Sequence, residues 1–433
     1  MLMQHAGLDA VQESHPLTRQ SVQLACYVLF GVIVPLLIWF AAREPSLTSP
    51  ILQSSVPAVI IACIASWYIL AKLRLYAKAR RLSYVLPVNF LTFTIAMAAI
   101  FVSRTPYSIS LIGSCFAATL VTSYVLTALT RLGSKPQYVV AGGRVSELKP
   151  RPGRQLVDSS ETVTAMIEQG ELHGSLVGDL HHDHEDRWER LFAKAALCGI
   201  PVYHYRQILE LETGQVRIDH LSENTLGSLI PNLPYMALKR AVDVVSVLVL
   251  SPFLLLLMLT IAAIIRIDSK GSVLFIQERM GFRGEVFRMV KFRTMRERKV
   301  EEDALAKRED SMTRDEDDRI TRVGRFLRKV RLDELPQAWN ILKGDMSWIG
   351  PRPEAISLSE WYEQEIPFYS YRHIVRPGLT GWAQVNQGHV TDLGDVNAKL
   401  RYDFYYVKNI SHWLDMLIAL KTIRVVLGGL GAK

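Results

Sequence analysis

A chain of 433 residues that is 49% hydrophobic, with a mean hydropathy of +0.14, is long enough for two or three domains and too apolar for an ordinary soluble protein. Lys and Arg outnumber Asp and Glu by 50 to 42, which fits an anionic partner such as lipid headgroups or a phosphorylated substrate, although positive loops beside membrane spans produce the same excess. Of four cysteines, Cys26, Cys63 and Cys115 lie inside apolar runs and Cys198 follows a helical pattern, so neither a disulfide framework nor a CxxC metal site is present and redox chemistry is not expected. The first twenty residues mix His, Glu, Asp and Pro without a basic-then-apolar layout, and no cleaved signal peptide is expected.

Apolar blocks follow at 21–42, 51–71, 84–102 and 108–129, each near the roughly 20 residues that a helix needs to cross hydrocarbon. Four transmembrane helices are predicted. The loop between the second and third, AKLRLYAKARR, carries Lys72, Arg74, Lys78, Arg80 and Arg81 and no acid, so the positive-inside rule places it in the cytoplasm. Both ends of the four-helix unit then face the cytoplasm, and the chain beyond Arg131 begins there.

From about Pro136 to Asn232 short strand-like runs, QYVVAGG, GSLVGDL and IPVYHY, alternate with helical stretches such as WERLFAKAAL, the pattern of a small α/β domain. The glycines of VVAGGRVSEL follow a strand but form no GxGxxG, and a plain strand-to-helix turn accounts for them. HHDHED, from His181 to Asp186, has metal-ligand residue types, yet its crowding suits a solvated loop better than a pocket converging on one ion.

A fifth apolar run starts at Ala241 and could span, but Ser251 and Pro252 sit near its middle, and Lys239, Arg240, Arg266 and Lys270 flank both sides. Proline removes a helix hydrogen bond, and basic residues at each end fit one leaflet, so a broken, re-entrant helix is expected. An ordinary kinked span is the alternative. Strand-like SVLFIQERMG and EVFRMVKFRTM come next, then a charged interval, RERKVEEDALAKREDSMTRDEDDR, that reads as a solvated helix and mobile loop. At the end, YYVKNISHWLDMLIALKTIRVVL is amphipathic, with Trp413, Leu414, Met416 and Leu417 against Lys421 and Arg424; a membrane-interface helix and a core helix both fit. No internal repeat is present.

In VRLDELPQAWNIL, Asp333 and Glu334 stand side by side. Asp can cap the helix that follows, Glu favours its first turn, and Pro336 is tolerated near a helix start. The surroundings ask for more. Arg328 and Arg331 precede the pair, GPRP brings Arg352 after a turn, and VKFRTM supplies Lys291 and Arg293. Cations gathered beside two carboxylates and exposed helix N–H groups suit a phosphate or diphosphate, and a carboxylate attacking phosphorus needs its target's charge neutralised. By residue type alone, phosphoryl chemistry and a set of surface ion pairs both account for the cluster.

Read in order, KRAVDVV…SP, QERMG, VKFRTM, DDRITRVGRFLRKVRLDELPQAWNILKGDMSWIGPRPE, RPGLTGWAQVN and YDFYYVKN resemble the bacterial sugar transferases, the monotopic polyprenyl-phosphate phosphoglycosyl transferases, from about Tyr235 to the C-terminus. The preceding helices and α/β segment resemble the large members of that family, which start capsule, exopolysaccharide or O-antigen repeat units. The resemblance implies an α+β membrane protein in three parts: a four-helix transmembrane bundle at 1–132, a small cytoplasmic Rossmann-like α/β domain at 133–232, and a re-entrant membrane helix with an α/β catalytic domain at 233–433. It implies transfer of a sugar 1-phosphate from a UDP-sugar to polyprenyl (undecaprenyl) phosphate with release of UMP, at the cytoplasmic face of the bacterial inner membrane. Asp333 would be the nucleophile that forms a phosphosugar–enzyme intermediate, and Glu334 a base or metal neighbour. Arg328, Arg352, Lys291 and Arg293 would hold phosphate, Asp403 would be a further functional acid, and Ser251 and Pro252 would break the re-entrant helix. Mg2+ is the implied ion, at Asp333 and Glu334.

Membrane lipid is thus an expected partner, nucleic acid is not because the positive charge flanks apolar segments, and dimerisation or regulation is the guess for the first two segments. Two positions depart from the family pattern. Asn386, Gln387, Gly388 and His389 stand where many members have Asn-Gly-Arg, and Arg331 stands where Ser is common. A membrane scaffold with a degenerate catalytic domain is the rival of a different class, opposed by retention of both acids and of Arg328 and Arg352. A multi-span phosphosugar transferase would need more spans.

Overall fold

Proline and apolar side chains set the opening of the chain. Helix α1 (Gln20–Arg43) contains one π turn, Leu29–Ile33, just before Pro35, whose missing N–H frees the Gly31 carbonyl. Thr119 reaches that carbonyl at 3.5 Å from α4 (Ile109–Leu129). Between them run α2 (Pro50–Leu73), with proline at its first turn, and α3 (Val85–Ser103). The four pack around Tyr27, Val59, Cys63, Phe93, Leu111 and Cys115. Small polar groups join them: Ser66 to Thr92 at 2.6 Å, Asn89 to Ser123 at 3.2 Å, and Arg74 to both Gln23 and Thr127. All four are long and apolar enough to cross a membrane, as is one later helix, and the chain is a membrane protein.

The computed structural model describes residues 19–43, 49–74, 76, 82–130, 136–217, 231–296, 319–387 and 393–427. Lys78, Arg80 and Arg81 of the basic loop, almost all of the charged interval, and Gly388 and His389 lie outside them. The chain divides into two units, 1–214 and 215–433. The first also holds a four-stranded parallel sheet, β1 (Gln137–Val140), β2 (Arg154–Val157), β3 (Ser175–Gly178) and β4 (Val202–His204), in the order β2-β1-β3-β4. Helices α5 (Ser160–Glu168), α6 (Asp186–Leu197) and α7 (Tyr205–Thr213) connect or follow the strands. Inner strand β3 is buried throughout, as a parallel strand covered on both faces must be.

In the second unit the sequence expectation of a broken helix meets a continuous one. Helix α8 (Leu233–Asp268) runs 36 residues through Pro252, about 54 Å at 1.5 Å per residue. Ser251 explains the continuity: its hydroxyl donates to the Leu248 carbonyl at 2.7 Å, the carbonyl that Pro252 cannot serve. One stripe, Asp243, Val247, Leu254, Ile261 and Ile265, is buried, while Val249, Phe253, Leu256 and Ile267 are exposed. The stripe packs on an antiparallel hairpin, β5 (Leu274–Met280) with β6 (Val286–Phe292), and on α9 (Arg322–Lys329) and α10 (Ala338–Lys343).

A short parallel pair, β7 (Ser347–Ile349) with β8 (Gly378–Thr380), and helices α11 (Ile356–Glu365), α12 (Trp382–Gln387), α13 (Leu393–Lys408) and α14 (His412–Leu427) complete the unit. Of the two readings of the terminal helix, the core one fits: Leu414, Leu417 and Ile418 are fully buried, and even Lys421 is inside, over the Trp382 ring. Hairpin and α10 are tied by Asn340, whose amide donates to the Arg288 carbonyl at 2.7 Å and accepts from Val290 N at 3.0 Å. Asn340→Ala leaves both strand groups unpaired, and thermal unfolding in detergent should show a loss of about 2 kcal/mol.

Candidate active site

The acid pair sits on a 3-10 turn, Leu332–Gln337, between α9 and α10. Asp333 does not cap a helix, as the structural reading of the sequence allows. Arg331 holds the cap position with φ +60 and no side-chain cap bond, a left-handed conformation that a non-glycine residue rarely adopts. The turn drives Glu334 inward, to 5% exposure. There its Oε1 meets Arg352 Nη2 at 3.0 Å, Arg331 Nη1 at 3.4 Å and Lys291 Nζ at 3.6 Å. Burial alone would push Glu334 up. Arg352, Lys291 and Arg331 overcome that and hold its carboxyl at about 2.

Asp333 is placed differently. Its Oδ1 is buried and has no hydrogen-bond partner among the described residues. Burial first, then the Glu334 carboxylate, push its pKa up against the weaker pull of Lys291, Arg352 and Arg331. One acid is therefore neutralised and fixed, while the other keeps a basic, unencumbered oxygen beside the same cations. Lys291, lowered to about 8 chiefly by burial and held up by Glu334, completes the cradle.

Among the other sequence candidates, Arg328 lies in the last turn of α9, pairs with neither acid, and has a buried Nη1 without a partner among the described residues. Arg293 is turned elsewhere: its Nη2 donates to Ser269 O and Oγ, both at 2.8 Å, at the C-terminal end of α8, where a cation suits the helix dipole. Gly271, at φ +120, makes room for it, since a Cβ there would stand 2.1 Å from Arg293 Nη1. Asp403, on α13, is not at the acid pair; it binds Arg372 at 2.9 Å. Arg372 in turn donates to the Arg352 carbonyl at 2.8 Å and to Tyr369 Oη at 2.6 Å. Ser251 and Pro252 lie within α8, as described above.

Residue types in a row could not reveal Arg372, Arg279 or Glu354. Arg279, from the QERMG strand, donates to the Pro353 carbonyl at 3.3 Å, and Glu354 pairs with Lys399 and lies 3.9 Å from Arg372. Alternation along β5 and the PRPE string were the available signals.

As for the implied magnesium, the donor set fits: two adjacent carboxylates are hard oxygen ligands, and Asp333 Oδ1 is an acceptor without a donor among the described residues. The two acids should also differ in sign when neutralised. An acid whose folded pKa is raised costs stability once ionised, so Asp333→Asn should raise the melting temperature near neutral pH, by a margin that vanishes as pH falls to the usual Asp range. Glu334 contributes stability above its ordinary 4.5 that is lost as pH falls toward about 2. Glu334→Gln strands its three cations and should cost ~3 kcal/mol, read in the same melts.

The match to known proteins covers this unit and more. The family model described as bacterial sugar transferase matches residues 234–429. A UDP-N-acetylgalactosamine-undecaprenyl-phosphate N-acetylgalactosaminephosphotransferase of Aeromonas hydrophila is 39% identical over 378 residues, 86% of each chain. UDP-glucose:undecaprenyl-phosphate glucose-1-phosphate transferases of Xanthomonas campestris pv. campestris and Escherichia coli are 44% and 38% identical, over 40% and 43% of this chain and 35% and 39% of their own. Motif order, an acid pair in a cationic cradle and similarity over both units agree: the chain belongs to the bacterial sugar transferase family.

Proposed function

We propose that the protein transfers a sugar 1-phosphate from a UDP-sugar to undecaprenyl phosphate, by way of a covalent intermediate on Asp333. The observation that carries this reading is the buried Oδ1 of Asp333, without a partner among the described residues, beside Lys291 and Arg352. That oxygen attacks the sugar-bearing phosphorus, forming an O–P bond as the phosphoanhydride breaks, and UMP leaves with the bonding electrons. A phosphate oxygen of the lipid then attacks the same phosphorus, the aspartyl bond breaks, and the polyprenyl-diphosphate sugar is released. Lys291 and Arg352 offset charge at both steps, and the buried Arg328 Nη1 is a donor in reserve for the same phosphates. Magnesium, held by Asp333 and Glu334, would supply further neutralisation of the diphosphate.

The membrane geometry follows from the same chemistry. A polyprenyl phosphate keeps its tail in hydrocarbon and its phosphate at the interface, so the acceptor site belongs at headgroup depth. Support for an α8 that stays on one side of the bilayer, without the break that the sequence suggested, is that both of its halves are fastened to one polar unit: Arg240 donates to the Ile341 and Leu342 carbonyls, and Ile261 and Ile265 pack on Phe292 and Leu327. A spanning helix would separate such ends by a bilayer. The first four helices cross the bacterial inner membrane as a bundle, and the basic loop puts the catalytic unit on the cytoplasmic side. The reaction would be the first membrane step of exopolysaccharide, capsule or O-antigen synthesis.

Purified protein with magnesium, undecaprenyl phosphate and a panel including UDP-N-acetylgalactosamine and UDP-glucose should release UMP. Without acceptor, the wild-type chain should gain the mass of one phosphosugar. Asp333→Asn should lose both signals while staying folded, and undiminished turnover in that variant removes the nucleophile assignment. For topology, Ile267→Cys, exposed at the end of α8, should react only with reagents that reach the cytoplasm; labelling from outside would mean that α8 spans.

A further inference from the structure

The parallel sheet of the first unit has no part in the proposed reaction, yet it gathers ligating side chains at one edge. Strands β1, β3 and β4 are neighbours and end on the same side, and the chain leaves β1 toward outer strand β2, so a crevice opens where the order reverses between β1 and β3. Asp179 follows β3 directly, His181 stands two residues on, and His204 is the last residue of β4. One ligand atom from each lies within 4.8 Å of the others. His181 Nδ1 is 2.7 Å from His204 Nε2, and that nitrogen is 3.3 Å from Asp179 Oδ1. The HHDHED string is a mostly exposed loop, as expected, and His181 alone of it meets the side chains of Asp179 and His204, which lie outside the string.

The carboxylate is held in place by donors of its own. Asp179 Oδ2 accepts from Arg144 N at 3.0 Å, Oδ1 accepts from His181 N at 3.3 Å, and His184 Nε2 lies 2.9 Å from the Asp179 carbonyl. The loop after β1 closes on it only because Gly143 has no side chain: at φ +57 a Cβ would stand 2.4 Å from Asp179 Oδ2. Asp179 and His204 are 7% and 8% exposed, whereas His181 faces solvent, so the group is oriented from within and open on one side. Outer partners that fix a ligand's direction are what a metal site needs beyond its ligands.

We propose that Asp179, His181 and His204 form a site for a divalent transition-metal ion such as Zn2+, distinct from the magnesium of the catalytic unit. Two imidazoles and one carboxylate suit such an ion better than a hard cation, and three protein ligands leave a position for water. The proton count balances. Arg206 N donates to His204 Nδ1 at 3.1 Å, so the His204 proton is on Nε2 and is given to His181 Nδ1. The ion takes the place of that proton, which moves to Nδ1, and the Arg206 N–H turns from the ring to water. His181 offers Nδ1 to the same ion. Binding therefore loosens the first turn of α7.

The test uses full-length protein without a histidine tag, stripped with a chelator, then titrated with Zn2+ by calorimetry and with Co2+ by visible absorption. With excess Mg2+ present to occupy the catalytic unit, wild type and Asp333→Asn should each bind one saturable equivalent, and His181→Gln and Asp179→Asn should bind at least about tenfold more weakly. His181 is exposed, so its variant should melt as the metal-free wild type does. No saturable binding by wild type, equal binding by both cluster variants, or loss of the equivalent in Asp333→Asn would each overturn the proposal.

Discussion

Everything at the catalytic end depends on how one buried carboxylate is neutralised. Glu334 is taken out of water by a tight turn, and an isolated carboxylate there would cost several kcal/mol, at order of magnitude. Three cations from three places answer it: Lys291 from the hairpin, Arg331 from the strained start of the turn, and Arg352 from the loop after β7. Each of those segments is thereby drawn to the same point. Because Glu334 takes up the nearest contacts of the cations, Asp333 keeps an oxygen that no described residue holds. The asymmetry between adjacent acids comes from packing and not from their chemistry, which is nearly identical.

Arg352 is itself held from behind. Its backbone carbonyl accepts from Arg372, and Arg372 is clamped by Asp403 and Tyr369, all buried. An arginine fastened through its main chain keeps its guanidinium free to face the acid pair. This gives Asp403 a physical role at a distance, as the counter-ion of a positioning residue, with Glu354 and Lys399 adding a second pair alongside. Buried pairs of this kind contribute little net stability but fix geometry, since removing one partner leaves the other charge stranded.

Helix α8 has two unlike faces. Its inner stripe is part of the polar unit's core, and its outer face is mostly apolar from Val242 to Ile264. Ser251 and Pro252 sit amid the exposed length, where an unpaired carbonyl would be costly in hydrocarbon, and the serine hydroxyl meets the need locally. The same helix thus presents one face to protein and leaves an apolar face uncovered by the described residues of its unit.

Much of this was legible in the residues. The four opening helices end within two residues of where the hydropathy of the sequence puts them, because length and apolarity are local properties that hydrocarbon reads directly. Asp333, Glu334, Lys291 and Arg352 were legible as a cationic cluster around an acid pair, since three of them lie within one ordered run of motifs and the fourth on a recognisable basic strand. What the order of residues left open was direction. Lys291 turns to the acids while Arg293, two residues on, turns to the end of α8, and Asp403 works through Arg372. Asp179, His181 and His204 meet only because parallel strands deliver their ends to one edge. The sequence by itself determined which segments are apolar and which chemical groups are present, because these depend on composition and local spacing. Only the tertiary structure decided which acid is neutralised and which is left free, because that depends on distances between side chains far apart along the chain.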